Sequence, residues 1–149
     1  MFDTSIAMLS LVVGGILDAC PRLQVVHPHL GGTLPFLAGR VETYRRAGLW
    51  PGLTEPIAGY LRRVWLDTVS ATPEALALVR ELAGDDHLLF ATDYPYWTFE
   101  AGMAFVREHV PADRLAAVCH HNAETLLGLP GRGDGRAADG TVDTVRSAS

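Results

Sequence analysis

Three short, mostly apolar runs separated by helix-forming stretches constrain the fold of this chain more than any other feature. Residues 23–26, 64–66 and 87–92 lack the polar–apolar alternation of a strand with one wet face. Such runs suit a parallel sheet covered by helices on its faces. Helices are expected over residues 3–19, where Asp3 and Thr4 can cap and Pro21 stops the run, and over 34–47. A short helix capped by Thr54 should run to Leu61. Another should open at Thr72-Pro73 and close at Gly84, and two more should cover 99–109 and 111–127, the last broken near Asn122. A closed eight-stranded α/β barrel takes about 250 residues, and 149 residues with three strands are too few for one. The expected fold is therefore α/β, the C-terminal part of a larger parallel barrel, occupying residues 1–129. Residues 130–149, rich in Gly, Asp, Arg, Ser and Ala, are expected to be a disordered tail.

Composition narrows the function classes. The chain is 48% hydrophobic and 19% charged, with a formal net charge of −5. A nucleic-acid partner would call for a basic face, so none is expected. The longest apolar run, residues 6–17, is interrupted by Ser10 and Gly14-Gly15 and is too short to span a bilayer. No charged-then-apolar leader opens the chain, so a cytoplasmic location is expected. Cys20 and Cys119 match no metal or redox spacing and are expected as buried free thiols.

Chemistry-bearing residues gather just past the strand ends: His29 after the first strand, Asp67 after the second and Asp93 after the third. In parallel α/β folds the strand C-termini face the ligand crevice. An imidazole and carboxylates there suit metal ligation or a base with its electrostatic partner. Gly31-Gly32 would let the backbone approach a bound group closely. Taken singly, His29 also suits a loop and Asp93 an Asx turn. His27 is expected to pack sideways. His120 and His121 are adjacent in a helix, where neighbours do not face each other, and are expected to be structural or exposed.

The stretch Val25-Val26-His27-Pro28-His29-Leu30-Gly31-Gly32, followed by Leu34-Pro35-Phe36-Leu37-Ala38-Gly39-Arg40, resembles the amidohydrolase-2 family, the group of aminocarboxymuconate-semialdehyde decarboxylase and related aromatic-acid decarboxylases. Leu66-Asp67-Thr68, residues 88–95 and Asn122-Ala123 with residues 126–129 are similar to its seventh strand, eighth strand and closing helix. The resemblance covers residues 2–129 and implies strands 6 to 8 of a (β/α)8 TIM barrel with their helices. It implies that His29 acts in acid–base chemistry beside the metal and that Asp93 is a catalytic metal ligand. Arg40 would bind a substrate carboxylate across a subunit interface. Judged without the resemblance, Arg40 would sit on a helix surface. Asp67 has a supporting role.

The implied cofactor is a divalent metal, zinc, and the implied substrate a small carboxylate-bearing molecule. The implied reaction is decarboxylation (lyase) or hydrolysis. Family members also carry a His-x-His pair on the first strand and a metal-binding histidine on the fifth, and neither occurs here. The expectation is thus an enzyme incomplete in this chain alone. It would be completed by a preceding N-terminal half or by a separate chain; the alternative is a non-catalytic remnant. Open strand edges and apolar helix faces suggest a homo-oligomer, a dimer.

Overall fold

The computed structural model of the chain describes residues 1–69 and 71–130. Helix α1 (Phe2–Val13) leads through Gly14-Gly15 into a single turn, α2 (Ile16–Ala19), and then β1 (Val26–His27). A 3₁₀ turn at His29–Gly31 precedes α3 (Ala38–Arg46) and α4 (Ile57–Leu61). Strand β2 (Trp65–Asp67), α5 (Pro73–Ala83), β3 (Leu88–Leu89) and α6 (Phe99–His109) follow. The described chain closes with α7 (Ala112–Ala116), a π turn at Ala117–His121 and α8 (Asn122–Leu127). The strands form one parallel sheet in the order β1-β2-β3. Val26 pairs with Trp65 and His27 with Leu66; Leu66 pairs with Leu88 and Asp67 with Leu89. Parallel neighbours linked through intervening helices give the βα repeat of a barrel segment. The expected disordered tail lies, from residue 131 onward, outside the described residues.

Several elements differ from the sequence expectation for local physical reasons. The first helix starts from Met1, so Thr4 and Ser5 turn their hydroxyls back to the Met1 carbonyl. It breaks where Gly15 adopts φ 71°, a left-handed conformation open to glycine. Thr54 does not cap α4, whose N-cap is Pro56; its hydroxyl donates to Asp18 Oδ2 at 2.7 Å. The helix expected from residue 34 begins at Ala38, after a run of turns. The third strand is cut to two residues because its extension bonds elsewhere. Phe90 N–H donates to the Val118 carbonyl at 2.9 Å, and Ala91 N–H donates to Thr68 Oγ1 at 3.2 Å.

The core is one cluster in which Val12, Leu34, Tyr60, Leu61, Leu66, Leu76, Val79, Leu88, Val106 and Val118 draw on every layer. Each such aliphatic side chain contributes about 1.5–3 kcal/mol by burial. Two polar anchors complement it. Asn122 Nδ2 donates to the carbonyls of Asp85 (2.9 Å) and Leu88 (2.8 Å), fixing α8 to the start of β3. Asp18 accepts from Tyr60 Oη (2.7 Å), Thr54 and Arg63 (3.0 Å), tying α2 to α4. These bonds, that of Tyr60 first, hold the Asp18 carboxyl below its usual range. Cys20 is exposed and Cys119 half-buried, correcting the expectation of two buried thiols: α2 ends at the surface and does not tuck its last residue inward. Among the described residues no helix is long and apolar enough to cross a membrane.

Candidate active site

The rim at the C-terminal ends of the strands is built from backbone upward. After β1 the chain turns sharply, with His29 at φ 58° and Leu30 at φ 50°. Non-glycine residues in this region are uncommon and strained, by about 1 kcal/mol or more each, so the surroundings must hold them there. Asp67, the last residue of β2, does so. Its Oδ1 accepts the His29 N–H at 2.8 Å and the Val69 N–H at 3.0 Å. Burial pushes the Asp67 carboxyl above its usual range, and the N–H bonds of Val69 and His29 oppose that rise. Asp67 therefore fixes the imidazole-bearing turn through its backbone.

Beyond β3, Asp93 sits at φ 56°, directly before a cis Tyr94–Pro95 bond. Among the described residues, His29, Leu30 and Asp93 are the non-glycine residues with positive φ. Two of them are thus the residues singled out by sequence. Their side chains converge: His29 Nε2 lies 3.9 Å from Asp93 Oδ2. The histidine is three-quarters buried and the carboxylate about half exposed. His29 Nδ1 is buried without a hydrogen-bond partner, so the ring's polar capacity is not spent on the fold. His29 also lines a cleft of about 320 Å³ walled by Met1, Pro35, Phe36, Glu74, Leu78 and neighbours.

Other expectations fare differently. Gly31 (φ 79°) and Gly32 (φ 60°) are needed for close approach, but the approaching groups belong to the protein. A Cβ on Gly32 would collide with Ser5 Oγ, and one on Gly31 would stand 3.1 Å from Pro35. The Gly pair seats α1, with Thr33 N–H donating to Ser5 Oγ at 2.8 Å. Arg40 is exposed and bonds along its own helix, Nε to Tyr44 Oη at 3.2 Å with the guanidinium over the ring. It is not brought to His29 or Asp93. His27 is buried, its Nε2 unpartnered, and burial lowers its basicity below the usual histidine value. The clamp by Asp67 was only partly legible: an acid at a strand end was visible, its grip on the preceding turn was not. His120 and His121, expected to point apart, lie in a π turn with ring centroids 3.9 Å apart.

As a metal site, this rim fits in part. Ligand atoms bound to one zinc ion at about 2.0–2.2 Å stand roughly 3–3.5 Å apart. The 3.9 Å between His29 and Asp93 thus suits one ligand with a close neighbour. A catalytic zinc takes three protein ligands, so Asp93 is a fitting but insufficient donor and His29 a group facing it.

The amidohydrolase-2 family model, described as Amidohydrolase, matches residues 3–129. The chain belongs to the amidohydrolase family. The family fold explains why three parallel strands carry their polar residues on one rim. The 2-amino-3-carboxymuconate-6-semialdehyde decarboxylase of Dictyostelium discoideum is 33% identical over 99 residues, covering 63% of this chain and 27% of that protein. The 6-methylsalicylic acid decarboxylase of Penicillium expansum is 34% identical over 115 residues, covering 70% of this chain and 35% of that protein. Among solved structures, the 5-carboxyvanillate decarboxylase of Novosphingobium aromaticivorans, complexed with manganese and 4-hydroxy-3-methoxy-5-nitrobenzoic acid, superposes with a TM-score of 0.74. Its identity is 27% over 84% of this chain and 38% of that one. The chain thus spans about a quarter to two fifths of the length of these proteins. The α/β architecture is that of part of an amidohydrolase TIM barrel.

Proposed function

We propose that this chain forms the sixth-to-eighth-strand sector of a metal-dependent decarboxylase, a carbon–carbon lyase acting on a small carboxylate-bearing aromatic or diene acid. The observation that carries the reading is the convergence of His29 and Asp93 at 3.9 Å, both held in left-handed backbone conformations. The relatives named above are decarboxylases, which favours this over hydrolysis. Asp93 would hold a divalent ion together with ligands from outside the described residues. When bound, such an ion supplies positive charge that stabilises developing negative charge on the substrate. Manganese in the solved relative supports a divalent ion; zinc is an equally suitable choice for an imidazole–carboxylate site.

The chain's own residues do the remaining work. His29 Nε2 and Asp93 Oδ2 face each other across a gap that one small group can bridge, so a proton can be held or passed between them. With Nε2 protonated, His29 can deliver that proton to the substrate carbon from which the carboxylate departs as carbon dioxide. Asp67 keeps the imidazole at this height through the His29 N–H. The adjoining cleft, with Phe36, Pro35 and Leu78, offers apolar walls that exclude water from a ring. Arg40, exposed on α3 with its Nε on Tyr44 Oη, would use its two terminal nitrogens to bind a carboxylate in a neighbouring subunit in bidentate fashion.

Exposed apolar residues on α1 and the β1 edge, Phe2 (74%), Ile6 (63%) and Val26 (48%), favour completion by further strands on that side. The test is carbon dioxide release from hydroxybenzoates. The chain would be assayed alone and mixed with the N-terminal two thirds of the 6-methylsalicylic acid decarboxylase, in manganese or zinc. Activity is expected in the mixture and absent with His29→Ala or Asp93→Ala. A mixture whose turnover ignores both substitutions would overturn the assignment, and silence in every combination would favour the remnant.

A further inference from the structure

A second donor cluster lies away from the strand rim, on the closing helices. His120, His121 and Glu124 each offer one ligand atom, and the three atoms all lie within 4.8 Å of one another. His121 Nδ1 stands 3.1 Å from Glu124 Oε2, and His120 Nδ1 stands 3.8 Å from Glu124 Oε1. Both imidazoles thus turn the same ring nitrogen toward one carboxylate.

Consecutive residues of an α-helix point about 100° apart and do not face each other. Here the side chains meet within a π turn, where the rotation per residue is somewhat smaller and both rings turn toward the Glu124 carboxylate. The Asn122 N–H bonds to the Ala117 carbonyl five residues back, closing a π turn. A π turn spreads one revolution over more residues, so neighbours are rotated less about the axis. The His120 and His121 rings come within 3.9 Å, centroid to centroid. Single π turns inside α-helices recur at functional sites. This one also has a fixed frame: its Val118 carbonyl accepts from Phe90 N–H at 2.9 Å, and Asn122 anchors the next residue to β3.

We propose that His120, His121 and Glu124 bind a divalent transition ion of the zinc–copper class, at a site separate from the rim of His29 and Asp93. Two imidazoles and one carboxylate match the ligand chemistry that zinc accepts, with further positions left for water. Zinc ligands at about 2.0–2.2 Å lie roughly 3–3.5 Å apart, so the widest pair of the cluster must close by up to about 1.5 Å. The two histidines, 50% and 42% exposed, can rotate to do so. Calcium and magnesium, which prefer all-oxygen shells, are disfavoured. Such an ion would pin the π turn to the first turn of α8 and brace the closing helix on β3. The site stands on its own geometry, and metal content of this protein counts both sites.

Titration of the metal-free chain with zinc chloride by calorimetry tests the proposal. One equivalent is expected to bind tightly at this site, any binding at the incomplete rim being weaker, and cupric ion should bind more tightly still. His121→Ala and Glu124→Gln should each weaken that binding at least about tenfold, the scale of losses at metal sites. His29→Ala, Asp93→Ala and the remote His109→Ala should leave it unchanged. Zinc should also raise the melting temperature of the wild type but not of His121→Ala, since an ion bound only to the folded state stabilises it. Circular dichroism confirms that each variant is folded before titration. Absence of zinc binding, or binding that persists in both His121→Ala and Glu124→Gln, or binding lost in Asp93→Ala, would overturn the site.

Discussion

Replacing Asp67 with alanine probes the link between fold and site. The carboxylate accepts two N–H groups, of His29 at 2.8 Å and of Val69 at 3.0 Å, and Asp67 is only 8% exposed. Removing it strands two donors, each costing about 1–3 kcal/mol when left unpaired, while relief of a buried carboxylate returns about 1–2 kcal/mol. The net expectation is a loss of roughly 1–4 kcal/mol of stability. Asp67→Asn keeps an acceptor oxygen and should lose about 1 kcal/mol. Urea unfolding at neutral pH measures the global loss, and amide exchange at His29 and Val69 reports the local one. The His29 amide should exchange faster in Asp67→Ala even after correction for global stability, because the left-handed turn loses its tether. An alanine variant within about 0.5 kcal/mol of the wild type, with unchanged exchange at His29, would refute the clamp.

Other expectations follow from the same structure. Because burial raises the folded-state pKa of Asp67, the stabilisation linked to its protonation is full below the ordinary carboxylate range and is lost as pH rises through the raised value, while its two accepted N–H bonds remain; Asp67→Asn should lack that pH-dependent loss in urea midpoints. Asp18 has the opposite sign: its lowered pKa stabilises above the ordinary carboxylate range, and that stability goes as pH falls through the depressed value, so Asp18→Asn should flatten the acid limb of a pH melt. Asp93→Gly relieves a φ of 56° and should raise stability by up to about 1 kcal/mol while removing the carbon dioxide release proposed for the mixture with the complementary half, a split visible by comparing melting temperature with that release. Gly32→Ala should cost on the order of 2 kcal/mol or more, from a positive φ together with the collision with Ser5, measured by thermal melting.

What was legible in the sequence was legible for physical reasons. The apolar runs at residues 64–66 and 88–89 are buried on both faces, so their composition alone marks a covered parallel sheet. Thr72-Pro73 carries cap chemistry in the sequence, and the Thr72 hydroxyl accepts the Ala75 N–H three residues on. His29 and Asp93 were visible because strand ends and chemistry coincide in parallel folds. The break near Asn122 was marked in the sequence, but its nature as a π turn was hidden, since no side-chain pattern distinguishes a five-residue repeat from the α-helix around it. So the meeting of His120 with His121 could not be foreseen. Gly31-Gly32 could be marked as a close approach but not assigned its neighbour, because α1 reaches it across 28 residues from Ser5 to Thr33. The Asp67 clamp spans 38 residues, beyond any local rule.

His29 and Asp93 are expected to face one metal-binding point on the strand rim. Paramagnetic broadening by manganese tests this most directly, since it registers even weak binding. During a manganese titration of the chain, the His29 ring resonances should broaden early, and Asp93→Ala should abolish that broadening while leaving the fold intact. Sharp His29 signals in the wild type, or equal broadening with and without the Asp93 carboxylate, would contradict it.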